Sequence, residues 1–200
     1  LMTRIDAEHV KPESFLELFQ VPTVLAREKR FHAQSMNNLK HLALAMHMYY
    51  DVHKSFPPRA SVSKDGKPLL SWRVALLPYL EQQQVSDQAK TYATTVNNNA
   101  FINPASGLGM KVFTCPQDPR GVITTAPYGA PYNHPFGLSM YMVNCGTTST
   151  TYDGVLYYNS KLRLTDINDG ASNTVLVGER PPSHDLNFGW WFAGYGWEGQ

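Results

Sequence analysis

The sequence predicts an α+β fold that is pilin- or pseudopilin-like, with a long N-terminal amphipathic helix packed on an antiparallel β-sheet head. From Thr23 to His53, apolar residues recur at steps of three and four, the period of a helix with one buried face. After Gln84, short apolar runs are separated by Asn, Gly and Pro, as is typical of strands joined by turns. A helix followed by successive strands favours α+β over an alternating βαβ fold.

Composition and charge narrow the class of protein. Hydrophobic residues make up 42% of the 200 residues, which favours one domain with a packed core over a disordered chain. Only 16% of the residues are charged, and none between Gly121 and Tyr152. Such a Thr/Asn/Tyr-rich surface is typical of extracytoplasmic β structure. The formal net charge of +1 provides no field to recruit nucleic acid, so a nucleic-acid binder is disfavoured.

The helix is predicted over residues 23–53, and residues 1–21 are predicted to be a leader or upstream extension. Its apolar stripe consists of Met36, Leu39, Leu42, Ala43, Met46, Tyr49 and Tyr50. Pro22 suits the first turn, because its missing N–H would have no partner there. Pro57 and Pro58 end the helix. About 30 residues would form a rod of about 45 Å.

The main domain is predicted to span residues 22–200, with a β-rich head over residues 85–200. Before the head, the Asp65-Gly66 pair predicts a turn, and Trp72–Leu80 predicts a second helix that Pro78 interrupts. In the head, the runs MKVFTC, LSMYMVN, GVLYY and TVLVGE are predicted to be strands.

No stretch of this sequence is predicted to span a membrane. The longest unbroken apolar run, Leu42–Met46, is far shorter than the roughly 18–20 residues that cross a bilayer. Because the chain opens on Leu1 rather than on a natural start, we expect an upstream segment to be missing.

Four segments resemble one known family. They are Ser35–Lys40 (SMNNLK), Phe56–Pro58 (FPP), Asp65–Gln82 (DGKPLLSWRVALLPYLEQ) and Asp166–Glu179 (DINDGASNTVLVGE). In this order and spacing they resemble the prepilin-like family of unknown function that is abundant in planctomycete bacteria. That family is also filed as family-10 extracellular solute-binding proteins. The resemblance covers most of the chain, and four short motifs in register make it specific.

The resemblance implies a type IV pilin or pseudopilin arrangement, in which a prepilin signal and a hydrophobic half-helix precede the long helix. No membrane helix precedes Pro22 here, so we expect the anchor to be replaced or the domain to belong to a larger protein. Family members also commonly end with a His ahead of a closing Asp-Gly pair. His134 is too far from Asp153-Gly154 to form that motif, so we expect the true C-terminus beyond Gln200.

An oxygen-rich loop is the candidate metal site. Asp166, Asn168 and Asp169 could face one calcium ion, with Glu179 completing the shell, because calcium prefers several oxygen ligands. Some pseudopilins bind calcium in a comparable loop. The loop departs from the EF-hand pattern, since Gly170 stands one position too early and the closing Glu is absent. The alternative is a turn whose Asp and Asn side chains cap backbone N–H groups.

The aromatic tail is the candidate ligand-binding surface. Trp190, Trp191, Tyr195 and Trp197, with glycines between them, could stack on a sugar or contact another subunit. The alternative is that these rings fill the core between the sheet and the helix.

The sequence does not decide whether its two cysteines form a disulfide. If Cys115 and Cys145 form a disulfide, a loop of about 30 residues would gain roughly 3–4 kcal/mol of stability. The alternative is two buried free thiols. Neither residue has the spacing of a zinc site.

No catalytic residue is predicted. The sequence has no nucleophile elbow, phosphate loop or dinucleotide fingerprint. Ser172 precedes His184 and Asp185, but these residue types occur together by chance in most chains of this length. The helix histidines His41 and His47 are six positions apart, not four, and are predicted to be exposed to solvent.

The predicted function is therefore non-enzymatic. We expect a pseudopilin-like structural or interaction subunit of a cell-envelope or surface assembly, located outside the cytoplasm. Its expected partners are other protein subunits, by self-assembly or in an envelope complex. The alternative is an extracytoplasmic ligand-binding module, with glycans as the candidate ligand.

Overall fold

The computed structural model describes residues 12–95, 104–120, 123–124, 135–148, 153–184 and 189–194. The helices are α1 (Pro12–His53), α2 (Trp72–Leu76) and α3 (Gln83–Thr95). The strands are β1 (Ala60–Val62), β2 (Pro68–Ser71), β3 (Ile123–Thr124), β4 (Phe136–Gly137), β5 (Tyr141–Val143) and β6 (Val177–Glu179). Short 3-10 helices lie at Leu77–Leu80, Pro104–Gly107, Lys111–Phe113 and Leu164–Asp166. A long first helix combined with small antiparallel sheets confirms the α+β class.

The long helix ends where the sequence predicted but begins earlier. α1 finishes at His53, ahead of the two prolines, yet it starts at Pro12 rather than at Thr23. Pro12 has the first helical position, where a missing N–H costs nothing. Pro22 lies inside the helix, which contains the whole predicted span of residues 23–53 and extends it toward the N-terminus. Among the described residues, no helix is both long enough and apolar enough to cross a membrane.

The predicted apolar stripe of α1 forms most of its buried face. Leu42 and Met46 are fully buried, and Leu39, Tyr49 and Tyr50 are half-buried. Met36 is the exception, because its side chain is 43% exposed. This face packs against α2, the Leu77–Leu80 turn, the Lys111–Phe113 turn and β6.

The segment after α1 matches its prediction. β1 and β2 pair antiparallel around the Asp65-Gly66 turn, where Gly66 has the left-handed φ of +76° that glycine adopts without strain. Ser71 caps α2, its hydroxyl accepting the N–H of Arg73 at 3.2 Å. α2 then gives way to the 3-10 helix that contains Pro78, so the predicted interruption is confirmed.

The head contains less sheet than predicted. Among the described residues the strands form three separate two-stranded antiparallel sheets, β1–β2, β3–β4 and β5–β6. β5 and β6 lie in the predicted runs LSMYMVN and TVLVGE. MKVFTC was wrongly predicted to be a strand, because it contains a 3-10 turn around Phe113. GVLYY is not a strand either, since Val155 and Leu156 both donate to the carbonyl of Asn144.

The head also begins with a helix that the sequence reading missed. α3 buries Ser86, Ala89 and Ala93 at helical spacing. These residues are small, so a search for large apolar residues did not detect their period.

Candidate functional site

A polar network, buried at Ser35, Asn38 and Tyr141 and exposed at Glu179, joins α1 to β5 and β6. Ser35 Oγ donates to Glu179 Oε2 at 2.5 Å and lies 2.9 Å from the hydroxyl of Tyr141. One turn along the helix, Asn38 Nδ2 donates to the carbonyl of Thr114 at 3.0 Å and to the Tyr141 hydroxyl at 3.3 Å. Ser35 and Asn38 come from SMNNLK, and Glu179 closes DINDGASNTVLVGE. Two of the four sequence segments therefore meet at this network.

Burial raises the pKa of two groups at this network, the Tyr141 hydroxyl and the Cys115 thiol. Burial is the main cause that raises the pKa of Tyr141 above its ordinary value. Burial also raises the pKa of the Cys115 thiol, and the hydrogen bond from that thiol to the Glu179 carboxylate raises it further. Because the thiolate is the reactive form, Cys115 is a poor nucleophile at neutral pH.

A cavity of about 630 Å³ lies beside the network. Its lining is Glu28, Lys29, Phe31, His32, Ser35, Met36, Leu39, Cys115, Gln117 and Glu179. The volume falls in the range of small-molecule sites, and the lining offers apolar side chains together with charges of both signs. This cavity, between the middle of α1 and β6, is the candidate binding site that adjoins the polar network.

A buried arginine connects a third sequence segment to the same strand. Arg73 is 1% exposed, and its Nη2 donates to the carbonyl of Tyr141 at 2.6 Å. Its guanidinium also lies 3.1 Å from the sulfur of Met142 and 4.7 Å from the centroid of the Trp72 ring. The sequence reading did not single out Arg73, although a lone charge inside LLSWRVALL was the available signal.

The remaining segment anchors the chain that follows α1. Phe56 is buried, and its N–H donates to the carbonyl of Leu162 at 2.9 Å. Its ring lies 5.2 Å from that of Tyr50 on α1. Each of the four segments thus supplies contacts that hold α1, α2 and β5 together, which is a structural role.

The predicted calcium ligands are only partly brought together. Asp166, Asn168 and Asp169 line one polar cavity of about 380 Å³, whereas Glu179 lines the cavity beside Ser35. The hydrogen bond from Arg163 to Asp166 lowers the pKa of that carboxyl, and the Arg163 backbone N–H also donates to it at 2.9 Å. No cluster of three or more His, Cys, Asp or Glu suited to a metal occurs among the described residues. Calcium binding remains a prediction, without Glu179 in the shell.

The two described tryptophans of the aromatic tail lie in the core. Trp191 is fully buried, stacks on Phe113 with 6.0 Å between ring centroids, and donates its indole N–H to the carbonyl of Leu108 at 2.7 Å. Trp190 is 8% exposed and stacks on Phe136. This is the core-filling alternative, because these faces are covered by other rings. Tyr195 and Trp197 lie outside the described residues.

Both cysteines are free thiols. Cys145 is buried in the cluster around Trp72 and Leu156, whereas Cys115 packs at the edge of the cluster around Trp191. The disulfide alternative is therefore wrong for this structure, because the two thiols belong to different parts of the core.

The residues considered for catalysis do not form a site in the described part of the chain. Ser172 and His184 are both exposed, and no hydrogen bond joins them; Asp185 lies outside the described residues. His41 and His47 are exposed on α1, as predicted.

The outer side of α1 presents apolar residues to solvent. Leu44, Met48 and Val52 are 59%, 42% and 65% exposed, and earlier in the helix Val24 and Leu25 are each 51% exposed. Every side chain from Thr23 to Arg30 is exposed, and Phe31 is the first that is half-buried. The sequence reading expected contacts with other subunits but did not identify these residues.

One comparison with known proteins gives a match. The model of the family SBP_bac_10, described as "Protein of unknown function (DUF1559)", matches residues 25–198. This is the family that the four segments predicted, and that prediction is confirmed. Neither the curated proteins nor the solved structures gave a match.

Proposed function

We propose that this chain, which belongs to the SBP_bac_10 family (DUF1559), is a non-enzymatic structural or interaction subunit of a cell-envelope or surface assembly. The proposed arrangement is pilin-like, with α1 as the assembling rod and the head outside it. The "SBP" of the family name supports an extracytoplasmic location.

The exposed segment Thr23–Arg30 of α1 is the observation that carries this proposal. The helix has 42 residues, or about 63 Å, and among its residues whose burial is described, from Thr23 onwards, Ser35 is the first that is buried. An exposed helix segment gains little from tertiary packing and is only marginally stable in water. Val24 and Leu25 on this segment offer apolar surface to a neighbouring subunit.

The chemistry of the network supports a role without catalysis. The most enclosed polar groups, Ser35, Asn38 and Tyr141, are committed to hydrogen bonds between elements of the fold. The nearby Cys115 thiol has a raised pKa, which opposes nucleophilic attack.

Site-specific photocrosslinking tests the proposal. A photoreactive amino acid at Val24 should capture a second copy or an envelope protein in the native cells. The matched control is the same residue at Val175, which is also an exposed valine, 64% accessible, but lies on the head. Crosslinks at Val24 well above those at Val175 support assembly through α1. A chain that is monomeric by light scattering and forms no crosslink at either site contradicts it.

A second candidate function is the binding of a small extracytoplasmic ligand. The cavity of about 630 Å³ beside Glu179 favours it, and the family name points to solutes. On this hypothesis the ligand lies between α1 and β6 rather than on Trp190 and Trp191.

Ligand screening with a blocked cavity tests the second candidate. The purified chain would be screened on a glycan array and against a solute panel by thermal shift. Met36→Trp should fill the cavity and remove any hit, whereas Met48→Trp, on the same helix outside this cavity, should retain it. If no compound binds, or if both variants bind equally well, the cavity is not the ligand site.

A further inference from the structure

Four outward residues of α1 form a row with opposite charges at its two ends. Lys40, Leu44, Met48 and Asp51 are all exposed. Eleven residues make just over three helical turns, so Lys40 and Asp51 lie on the same side of α1, about 16 Å apart. Leu44 and Met48 lie between them on that side. Neither Lys40 nor Asp51 has an ion-pair partner within the described residues.

This row is complementary to the same row on a second copy of α1 that runs in the opposite direction. If a second α1 lies antiparallel across it, Lys40 faces Asp51 at both ends and Leu44 faces Met48 in the middle. If the second helix lies parallel, Lys40 faces Lys40 and Asp51 faces Asp51, which is repulsive. The charge pattern therefore selects both the partner, a copy of this chain, and its direction.

A groove on the flank of α1, beside the row, can receive a side chain of the partner helix. Leu44 also lines a cavity of about 630 Å³ with Tyr79, Leu80, Met110 and Val112. Methionine has a flexible side chain that fills irregular apolar gaps, and the antiparallel arrangement brings Met48 of the second copy opposite Leu44. The apolar row and the groove thus form one continuous surface.

From these observations we propose that two copies of this chain pair through antiparallel α1 helices, with Leu44 and Met48 at the centre and two Lys40–Asp51 contacts at the ends. This rests on the proposed assembly role and adds to it a partner and a second contacting face, because α1 ends at His53 and the pair leaves Val24 outside the helix–helix contact. The heads then lie on opposite outer sides of the helix pair, because the row is on the side of α1 away from Leu42 and Met46.

Charge reversal tests the pairing in the intact chain. Sedimentation equilibrium would measure the dimer Kd for the wild type, for K40D, for D51K and for the double variant K40D/D51K. Each single reversal turns both end contacts repulsive, so the Kd should rise about thirtyfold or more. The double variant restores opposite charges at both ends and should recover the wild-type Kd within about threefold. An equimolar mixture of K40D and D51K should form the mixed dimer.

The controls separate this face from a general effect of charge. K64D changes the net charge by the same amount as K40D, but at an exposed residue on the β1–β2 turn, and should leave the Kd unchanged. L44E should abolish pairing, and circular dichroism would establish that the chain is still folded. Parallel pairing predicts no difference between the wild type and the single reversals, so that result overturns the proposal.

The result is distinguishable from a failure of the proposed function. If the wild type is monomeric, or if its dimer ignores K40D, D51K and L44E, antiparallel pairing is wrong. The assembly role still stands in that case if Val24 crosslinks a partner in cells. Both fail only when the crosslinks are also absent.

Discussion

Removing the side-chain amide of Asn38 should destabilise the fold far more than removing the side-chain amide of the neighbouring Asn37. Asn38 is 9% exposed, and its Nδ2 donates to the carbonyls of Thr114 and Lys111 and to the hydroxyl of Tyr141. The neighbouring Asn37 is exposed on the same helix. The perturbation is Asn38→Ala, and the matched control is Asn37→Ala.

The size of the destabilisation follows from the hydrogen-bond donors that each carbonyl retains after Asn38→Ala. The carbonyl of Lys111 keeps two donors, the N–H of Thr114 at 3.2 Å and its hydroxyl at 3.1 Å. Among the described residues, the carbonyl of Thr114 keeps only the Tyr141 hydroxyl, at 3.5 Å. One buried carbonyl is thus left almost unsatisfied, which costs about 1–3 kcal/mol. We expect Asn38→Ala to lower the free energy of unfolding by about 2 kcal/mol.

Urea unfolding followed by tryptophan fluorescence measures this change. For a chain of this length, 2 kcal/mol corresponds to a fall in Tm of about 4–8 °C. Alanine is a better helix former than asparagine, so Asn37→Ala should be neutral or stabilising by up to about 0.5 kcal/mol. If the two variants differ by less than about 0.5 kcal/mol, the network does not hold α1 on the head, and the reasoning is refuted.

Four further measurements test other parts of the structure. Gly154→Ala should lower the Tm by about 6 °C or more, because the added Cβ would overlap the backbone of Cys145 and Gly146, just after β5. Gly178→Ala, whose Cβ meets nothing within 4 Å, should shift the Tm by less than about 2 °C. Without reductant, iodoacetamide should label both Cys115 and Cys145 in urea but leave Cys145 protected in the native chain; an unreactive denatured chain would mean a disulfide. Burial raises the pKa of the Cys145 thiol, so its contribution to stability is complete below about pH 8.5 and is lost as the pH rises through the folded-state pKa. Unfolding free energies from about pH 7 to pH 10 should therefore fall more steeply in the wild type than in Cys145→Ala, and parallel curves would disprove the linkage. If the predicted loop binds calcium, the Tm should be higher in calcium than in magnesium, and Asp169→Asn should abolish that difference. Equal Tm values in the two ions would contradict calcium binding.

Turns and helix ends depend on local backbone properties, so the sequence alone predicted them correctly. The end of α1 before Pro57, the Asp65-Gly66 turn and the interruption at Pro78 all follow from backbone properties of Pro and Gly. Such properties do not depend on what packs nearby. The buried stripe containing Leu42 and Met46 also follows from a period that is visible in one segment.

The family assignment was likewise available from the sequence, because it depends on the order and spacing of residues. What the four segments do was not available. Ser35 and Glu179 are 144 positions apart, and nothing local indicates that their side chains share a hydrogen bond. The sequence around Arg73 likewise does not indicate that its guanidinium donates to the carbonyl of Tyr141 on β5.

Tertiary structure alone decided the sites and the strands. Whether Trp191 stacks on a ligand or on Phe113, and whether Cys115 meets Cys145, depends on which distant segments come together. The run MKVFTC has the composition of a strand, but its backbone forms a 3-10 turn at Lys111–Phe113. The exposure of Leu44 and Met48 is decided in the same way, since a helix that is apolar on two sides can bury either. The head covers one side of α1, and this leaves the other side open for a partner.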